Sequence, residues 1–295
     1  MRNAFIDELV SLAEVRENIA LIVGDLGYSV VEPFADRFPE RFINAGVAEQ
    51  NMTSLAAGMA SEGYHVFTYS IANFPTFRCA EQIRNDVDYH QLPVTVVTVG
   101  GGLAYGPLGY SHHAIQDYAL MCCMPNMLIA APGDPMEARA CLRFLVENPQ
   151  PSYLRLGKAG ERTFHQSFPD LVPGRWSKVA EAKNGSARCL LTTGAALELA
   201  MEWVSSSGPY AGASVCTLPL WGMRHKSSQP TQVSDYTTIE TIEDHLVDGG
   251  FGSWLLESLG AENRSRVTVR GLDPVVCGAV ASQKILGELG GLQLL

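Results

Sequence analysis

The sequence of 295 residues contains no uninterrupted run of about 18 apolar residues, so we expect no membrane-spanning helix. Basic residues are also scarce: 21 lysines and arginines stand against 31 aspartates and glutamates, and the formal net charge is −10. Because proteins that bind nucleic acid or a membrane surface need basic patches, we expect neither kind of partner. The first stretch, MRNAFIDELVSLAE, is amphipathic and acidic, unlike a secretory signal, and this predicts a cytoplasmic protein.

The seven cysteines form no CxxC pair and no disulfide framework. This usage favours a reducing compartment and predicts no zinc site, so we expect no metal ligand in this chain. The glycine-rich stretch VGGGLAYGPLG does not contain GxGxxG, so a dinucleotide-binding fingerprint is not indicated either.

The sequence does contain a regular alternation of strand and helix patterns. Apolar strand patterns occur at IALIV, HVFTYS, LPVTVVTV, NMLIAAP and PSYLRLG, and again at ARCLLTT, GASVCTLPLW, TTIETIEDH and SRVTVRGL. Strands that alternate with helices predict parallel α/β sheets. The aperiodic stretch FHQSFPDLVPGRW divides the two series. We therefore predict two parallel-sheet α/β domains at residues 1–170 and 187–295, joined by a linker at residues 171–186.

Ligands of parallel sheets bind at the carboxyl ends of the strands. In the first predicted domain these ends carry many polar side chains and glycines, whereas the second shows no comparable cluster. The segments concerned are residues 25–29, 44–49, 69–77, 100–112 and 155–158.

Glu49 stands at the start of a helix predicted from apolar residues at Met52, Leu55, Ala56 and Met59. An acid in the first helical turn is favoured by the helix dipole, by up to about 1 kcal/mol, and this alone would explain it. A functional carboxylate at the ligand edge is the alternative.

Two further motifs admit a structural and a functional interpretation. His112 and His113 follow the glycine-rich loop after a central strand, where loops often carry chemistry. Phe74 and Phe77 are three residues apart, so they share a helix face and could either pack in the core or stack on a flat ring.

Taken together, NAGVAEQNM, the aromatic pair before RND, and GPLGYSHHAIQD resemble the pyrimidine-binding domain of the transketolase family. The stretch IEDHLVDGGFGSWLLE resembles the C-terminal domain of that family, so the resemblance covers nearly the whole chain. The family's N-terminal GDG…N motif, which binds magnesium and the cofactor diphosphate, has no counterpart here. The sequence therefore resembles the C-terminal half of a split, two-subunit transketolase.

The resemblance implies specific cofactor contacts. Glu49 falls on the glutamate that hydrogen-bonds the aminopyrimidine ring nitrogen of thiamine diphosphate. There a carboxyl group among apolar residues can share a proton with the ring and so promote loss of the acidic thiamine proton. Phe74 and Phe77 fall on positions that pack against the pyrimidine ring, and Asn44 is a further candidate for cofactor binding. Where the family has a third aromatic residue, this sequence has Ala80.

For the substrate, the resemblance places His112 on the histidine of the family's GPTH motif, with a role in proton transfer at substrate hydroxyls. His113 has no counterpart and is a weaker substrate-binding candidate. Two polar family positions are apolar here: an expected aspartate is Leu108, and a histidine that often binds phosphate is Gly100. We therefore expect an acceptor different from that of central-pathway transketolase.

Arg2, Ser29 and Lys158 fall near family positions that bind the distal anionic end of the acceptor. They are the remaining weaker substrate-binding candidates, and we therefore expect the acceptor to be either a sugar or a sugar phosphate.

The resemblance implies a thiamine-diphosphate-dependent transferase that moves a two-carbon ketol unit from a ketose to an aldose. It would act only with an N-terminal transketolase subunit that supplies the diphosphate site and binds Mg²⁺ or Ca²⁺, in an α2β2 heterotetramer that shares the cofactor. Two alternatives stay open: a β subunit of a 2-oxoacid dehydrogenase, and a non-catalytic partner-binding subunit.

Overall fold

The computed structural model describes residues 1–183 and 185–293. Within these ranges the strands are β1 (Ile19–Val23), β2 (Phe42–Asn44), β3 (His65–Ile71), β4 (Val94–Val99), β5 (Leu128–Ala130), β6 (Ser152–Leu156), β7 (Ser177–Ala180), β8 (Arg188–Thr192), β9 (Ser214–Thr217), β10 (Leu220–Trp221), β11 (Thr238–Leu246) and β12 (Val267–Leu272). The α-helices are α1 (Arg2–Val15), α2 (Glu32–Arg37), α3 (Glu49–Ser61), α4 (Asn73–Phe77), α5 (Ala80–Gln82), α6 (Asp117–Cys122), α7 (Pro135–Glu147), α8 (Ala196–Ser205), α9 (Gln229–Ser234), α10 (Phe251–Glu257), α11 (Ala261–Arg264) and α12 (Gln283–Leu289).

The strands form two sheets, which confirms the predicted class of two parallel-sheet α/β units. The first sheet has the order β10-β5-β6-β4-β3-β1-β2 and the second the order β12-β11-β8-β9-β7. Each sheet is parallel except for one antiparallel edge strand, β10 in the first and β7 in the second. All six residues of β4 are buried, as expected for the central strand of a sheet covered on both faces.

The antiparallel pairing of the two edge strands was not predicted from the sequence, although the residues of β10 end the predicted strand pattern GASVCTLPLW. The strand β7 lies within the predicted linker 171–186 and pairs with β9. The strand β10 comes from the second half of the chain, yet it pairs with β5 of the first sheet. The pairing of such short strands depends on partners distant in the chain, which periodicity does not report. The proposed division at residues 170 and 187 stays a prediction.

A buried ion network joins the two sheets. Arg155 of β6 donates hydrogen bonds of 2.6 Å both to Asp117 of α6 and to Asp244 of β11. Its remaining nitrogen donates to the carbonyl oxygen of Ala114 at 2.9 Å. One side chain therefore ties the loop before α6 to the second sheet.

The apolar core of the first sheet lies between the strands and the helices α1 and α7, which pack against each other. No helix in the described part of the chain combines the length and the apolar character that crossing a bilayer requires.

Candidate functional site

The polar segments identified in the sequence meet at one edge of the first sheet. The strands β6, β4, β3, β1 and β2 are neighbours in that order, and the segments follow their carboxyl ends. Because parallel strands end at the same edge, residues distant in sequence come together there.

Glu49 is the first residue of α3, and only 4% of its surface is exposed. Its Oε1 accepts a hydrogen bond of 3.0 Å from Arg78. Its Oε2 accepts none from any residue that the structure describes. Glu49 is therefore a buried carboxylate with one oxygen hydrogen-bonded to Arg78 and the other without a hydrogen-bond partner among the described residues.

The helix α3 buries a face slightly different from the predicted one. Met52, Ala56 and Ala60 are buried as a stripe, with Thr53 and Ala57 beside it. Leu55, predicted to lie on the apolar face, is 37% exposed. Three of the six buried residues of α3 are alanines, so the face that packs beside β3 is made largely of small side chains.

Arg78 links Glu49 to the aromatic part of the site. Its guanidinium carbon lies 4.3 Å from the ring centroid of Phe74, a cation–π contact. Phe74 in turn meets the ring of His112 edge-on at 5.2 Å. Phe77, at the end of the same short helix, is 47% exposed. The structure therefore brings Glu49, Phe74 and His112 together through an arginine that the sequence analysis did not select.

His112 ends a short 3₁₀ turn in the glycine-rich loop. Its Nδ1 shares a hydrogen bond of 3.0 Å with the side-chain hydroxyl of Ser111. The backbone carbonyl oxygen of Ser111 accepts a hydrogen bond of 3.1 Å from the side-chain amide of Asn73. Burial, with the charges of His113 and Arg78, lowers the pKa of His112 below its ordinary value. The lowered pKa favours the neutral ring, which can accept a proton.

His113 occupies a different environment from that of its neighbour. Its side chain is fully buried, and Nε2 donates to the carbonyl oxygen of Gly106 at 3.2 Å. In this arrangement His113 holds the glycine-rich loop closed on itself, while His112 faces Phe74.

Asn44 organises the loops beside Glu49. Its side-chain oxygen accepts hydrogen bonds from the backbone of Asp25 at 3.2 Å and of Gly46 at 3.0 Å. Its amide nitrogen donates to the Asp25 carboxylate at 3.0 Å. Asp25 and Ser29 both have left-handed backbone conformations, with φ of 54° and 62°. Such residues are strained, and strain of this kind often accompanies functional sites.

Arg2 and Lys158 bring positive charge to the same edge. Neither forms an ion pair with a carboxylate in residues 1–183 and 185–293. The ammonium nitrogen of Lys158 lies 5.2 Å from the ring centroid of Tyr105, and the charge of Arg2 opposes the rise that burial causes in the pKa of Tyr105. The cations are thus gathered around one aromatic side chain and remain available to an anion.

The residues that sequence reasoning missed are Arg78, Tyr105 and Asn73. Arg78 directly follows Phe77, and only its spatial position shows that it pairs with Glu49. Tyr105 lies five residues after Gly100, within the loop that the sequence did single out.

Two mainly parallel sheets covered by helices, with polar residues gathered at the carboxyl edge of the first, define an α/β protein with its candidate site at that edge. The family model of the transketolase pyrimidine-binding domain matches residues 1–161. The chain belongs to the transketolase family.

Several relatives are similar over nearly the whole chain. A putative transketolase C-terminal section from Methanocaldococcus jannaschii is 30% identical over 279 residues, which cover 92% of this chain and 85% of that protein. One subunit of apulose-4-phosphate transketolase from Phocaeicola vulgatus is 29% identical over 280 residues, with coverage of 92% and 86%. The 1-deoxy-D-xylulose-5-phosphate synthase of Aquifex aeolicus is 34% identical over 262 residues, which span 86% of this chain but only 40% of the synthase.

Solved structures agree with this assignment. A split-gene transketolase, described as an inactive β4 tetramer, superposes with a TM-score of 0.83 at 30% identity, covering 99% of this chain and 93% of that one. Transketolase from Leishmania mexicana superposes with a TM-score of 0.79 at 17% identity, covering 99% of this chain and 43% of that one, and this likeness shows the shared fold.

Proposed function

We propose that the protein is a catalytic subunit of a split transketolase, which transfers a two-carbon ketol unit from a ketose to an aldose with thiamine diphosphate. The observation that carries this proposal is the buried Glu49 carboxylate, with one oxygen held by Arg78 and the other free. It is supported by relatives of similar length, one named as a transketolase C-terminal section and another as one subunit of a transketolase.

The residues present fit the pyrimidine half of the cofactor. The free oxygen of Glu49 could hydrogen-bond a ring nitrogen, and Phe77 offers an exposed aromatic surface for a flat ring. Gly46, held by Asn44, would bear a Cβ with nothing within 4 Å, so the backbone beside Glu49 leaves room for a ligand. When bound, thiamine diphosphate supplies a carbon nucleophile that also stabilises negative charge.

The side chains of this chain would then bind, orient and move protons. Glu49 would hold and share a proton at the ring nitrogen, while Arg78 fixes the carboxylate in position. Neutral His112, oriented through Ser111, would accept or return a proton at a substrate hydroxyl. Lys158 and Arg2 would bind an anionic group at the far end of the acceptor.

A partner subunit would supply the diphosphate and metal site. The relatives named as a split-gene transketolase and as one subunit of a transketolase favour such an arrangement. Exposed apolar side chains beside the site suit a covering partner, since Tyr28 is 73% and Val47 72% exposed. Calorimetry should detect no thiamine diphosphate binding to the isolated chain with Mg²⁺. Micromolar affinity of this chain alone would contradict the two-subunit arrangement.

The test of the catalytic role is Glu49→Gln in the assembled complex. Loss of a positioned proton-transfer group should slow exchange of the acidic thiamine proton with deuterium by about 10²–10⁴-fold. Glu62→Gln, at the exposed C-terminal end of the same helix, is the matched control and should exchange like wild type. If Glu49→Gln exchanges at the wild-type rate in an intact complex, Glu49 is only a helix-start acid and the proposal fails.

A further inference from the structure

The glycine-rich loop places an aromatic ring where residue 100 would otherwise carry a side chain. Gly100 has φ of 80°, and a Cβ built on it would lie 2.1 Å from Cε2 and 2.3 Å from Cδ2 of Tyr105. No real Cβ approaches another atom so closely. The ring of Tyr105 is therefore fitted against bare backbone at the carboxyl end of β4, and Gly100 is required for it.

From this position Tyr105 lies beside two of the candidate substrate-binding side chains, His112 and Lys158. Its ring centroid lies 6.4 Å from that of His112, with the two planes inclined at 69°. Its other neighbour is the ammonium group of Lys158, at 5.2 Å from the ring centroid. A substrate that contacts both His112 and Lys158 would therefore lie beside this half-buried ring.

We propose that the ring of Tyr105 determines which aldose acceptors the site admits. This inference rests on the proposed ketol transfer and specifies its acceptor class. The ring narrows the space between His112 and Lys158, and its π face holds the ammonium group in place. The site therefore favours a short acceptor whose anionic group lies close to its aldehyde. The aromatic ring of Tyr105, and not its hydroxyl group, selects for this acceptor.

The experiment compares two acceptors, glyceraldehyde 3-phosphate and ribose 5-phosphate, with the assembled two-subunit complex. The measured quantity is the ratio of their kcat/KM values, because any loss common to both acceptors cancels in it. Tyr105→Ala should move this ratio at least 10-fold toward the five-carbon acceptor, mainly through KM. Tyr105→Leu should shift it in the same direction, and Tyr105→Phe should stay within about threefold of wild type.

The matched control is Tyr64→Ala, which removes a half-buried ring directly before β3, at the opposite edge of the sheet. It should leave the ratio unchanged. A ratio unaltered in both Tyr105→Ala and Tyr105→Leu would overturn the assignment, as would an equal shift in Tyr105→Phe.

Oxidation of the donor ketose by ferricyanide, measured on the wild-type complex without any acceptor, separates the two proposals. If the wild-type complex oxidises the donor but the ratio of kcat/KM values is the same in the Tyr105 variants, only the role proposed for Tyr105 is wrong. If wild type neither oxidises the donor nor transfers a ketol unit, the proposed function fails and this inference fails with it.

Discussion

Arg78 donates a hydrogen bond of 3.0 Å to Glu49 Oε1 while its guanidinium group covers the ring of Phe74 at 4.3 Å. One half-exposed side chain thus determines the position of a buried carboxylate and of an aromatic ring. The pair joins the start of α3 to the end of α4, two elements that follow different strands.

Replacing Arg78 with Met should keep the packing on Phe74 and remove the charge. Because the arginine is half exposed, the ion pair itself contributes little, and we expect the free energy of unfolding to fall by about 1 kcal/mol. Urea unfolding measures this loss. Arg84→Met, which removes an exposed bond to Asn85, should change stability by less than about 0.5 kcal/mol. Equal effects of the two changes would contradict a positioning role for Arg78.

The role of Lys158 in anion binding can be tested with Lys158→Gln. Loss of a charge-assisted contact should raise the acceptor KM by about 10-fold for an aldose phosphate but not for the unphosphorylated aldose. Lys178→Gln is the control, since Lys178 pairs with Glu181 on an edge strand of the other sheet. An equal rise of KM for both aldoses would show that Lys158 does not bind the anion.

Arg155 should be far more important for stability than for chemistry. Arg155→Met leaves the carboxylates of Asp117 and Asp244 buried without their partner, which typically costs about 3–5 kcal/mol. Arg143→Met, which breaks one contact of the half-exposed Arg143 with Glu8, should cost about 1 kcal/mol or less. Thermal or urea unfolding of both variants tests this difference, and similar midpoints would rule out the buried network as the main tie between the sheets.

The cluster of Asp134, Glu137 and His165 at the start of α7 should make the free energy of unfolding depend on pH. Burial raises the pKa of Glu137 to about 7. His165, although burial disfavours its charged ring, has a raised pKa because it bonds to Asp134 and faces Glu137. Both folded-state pKa values exceed the unfolded ones, so these two groups bind more protons in the folded protein, and their contribution to stability falls as pH rises from about 4.5 through neutrality.

Glu137→Gln should flatten this dependence between about pH 5 and pH 7, because the amide does not titrate. Urea midpoints measured from pH 5 to 8 provide the comparison with wild type. Glu147→Gln, at the other end of the same helix, should retain the wild-type slope. A wild-type slope in Glu137→Gln would show that another group carries the pH dependence.

The sequence alone determined the sheet-and-helix alternation, because uninterrupted β-branched stretches such as that of β4 and the repeated helix patterns are local signals. It also indicated the edge where the polar residues of the candidate site gather, since the carboxyl ends of parallel strands must share one side. Motifs around Glu49 and His112 were enough to suggest the transketolase family, which the family match and the relatives then confirmed.

Only the tertiary structure decided how these residues meet. Arg78 and Glu49 follow different strands, and only the fold brings them into contact. The contacts of His113 with Gly106 and of Tyr105 with Gly100 depend on how the glycine-rich loop folds on itself. The two-residue strand β10 joins the first sheet for the same reason, because its partner β5 is about 90 residues earlier in the chain. Periodicity reports which face of a segment is apolar, whereas such contacts arise only once the segments are packed.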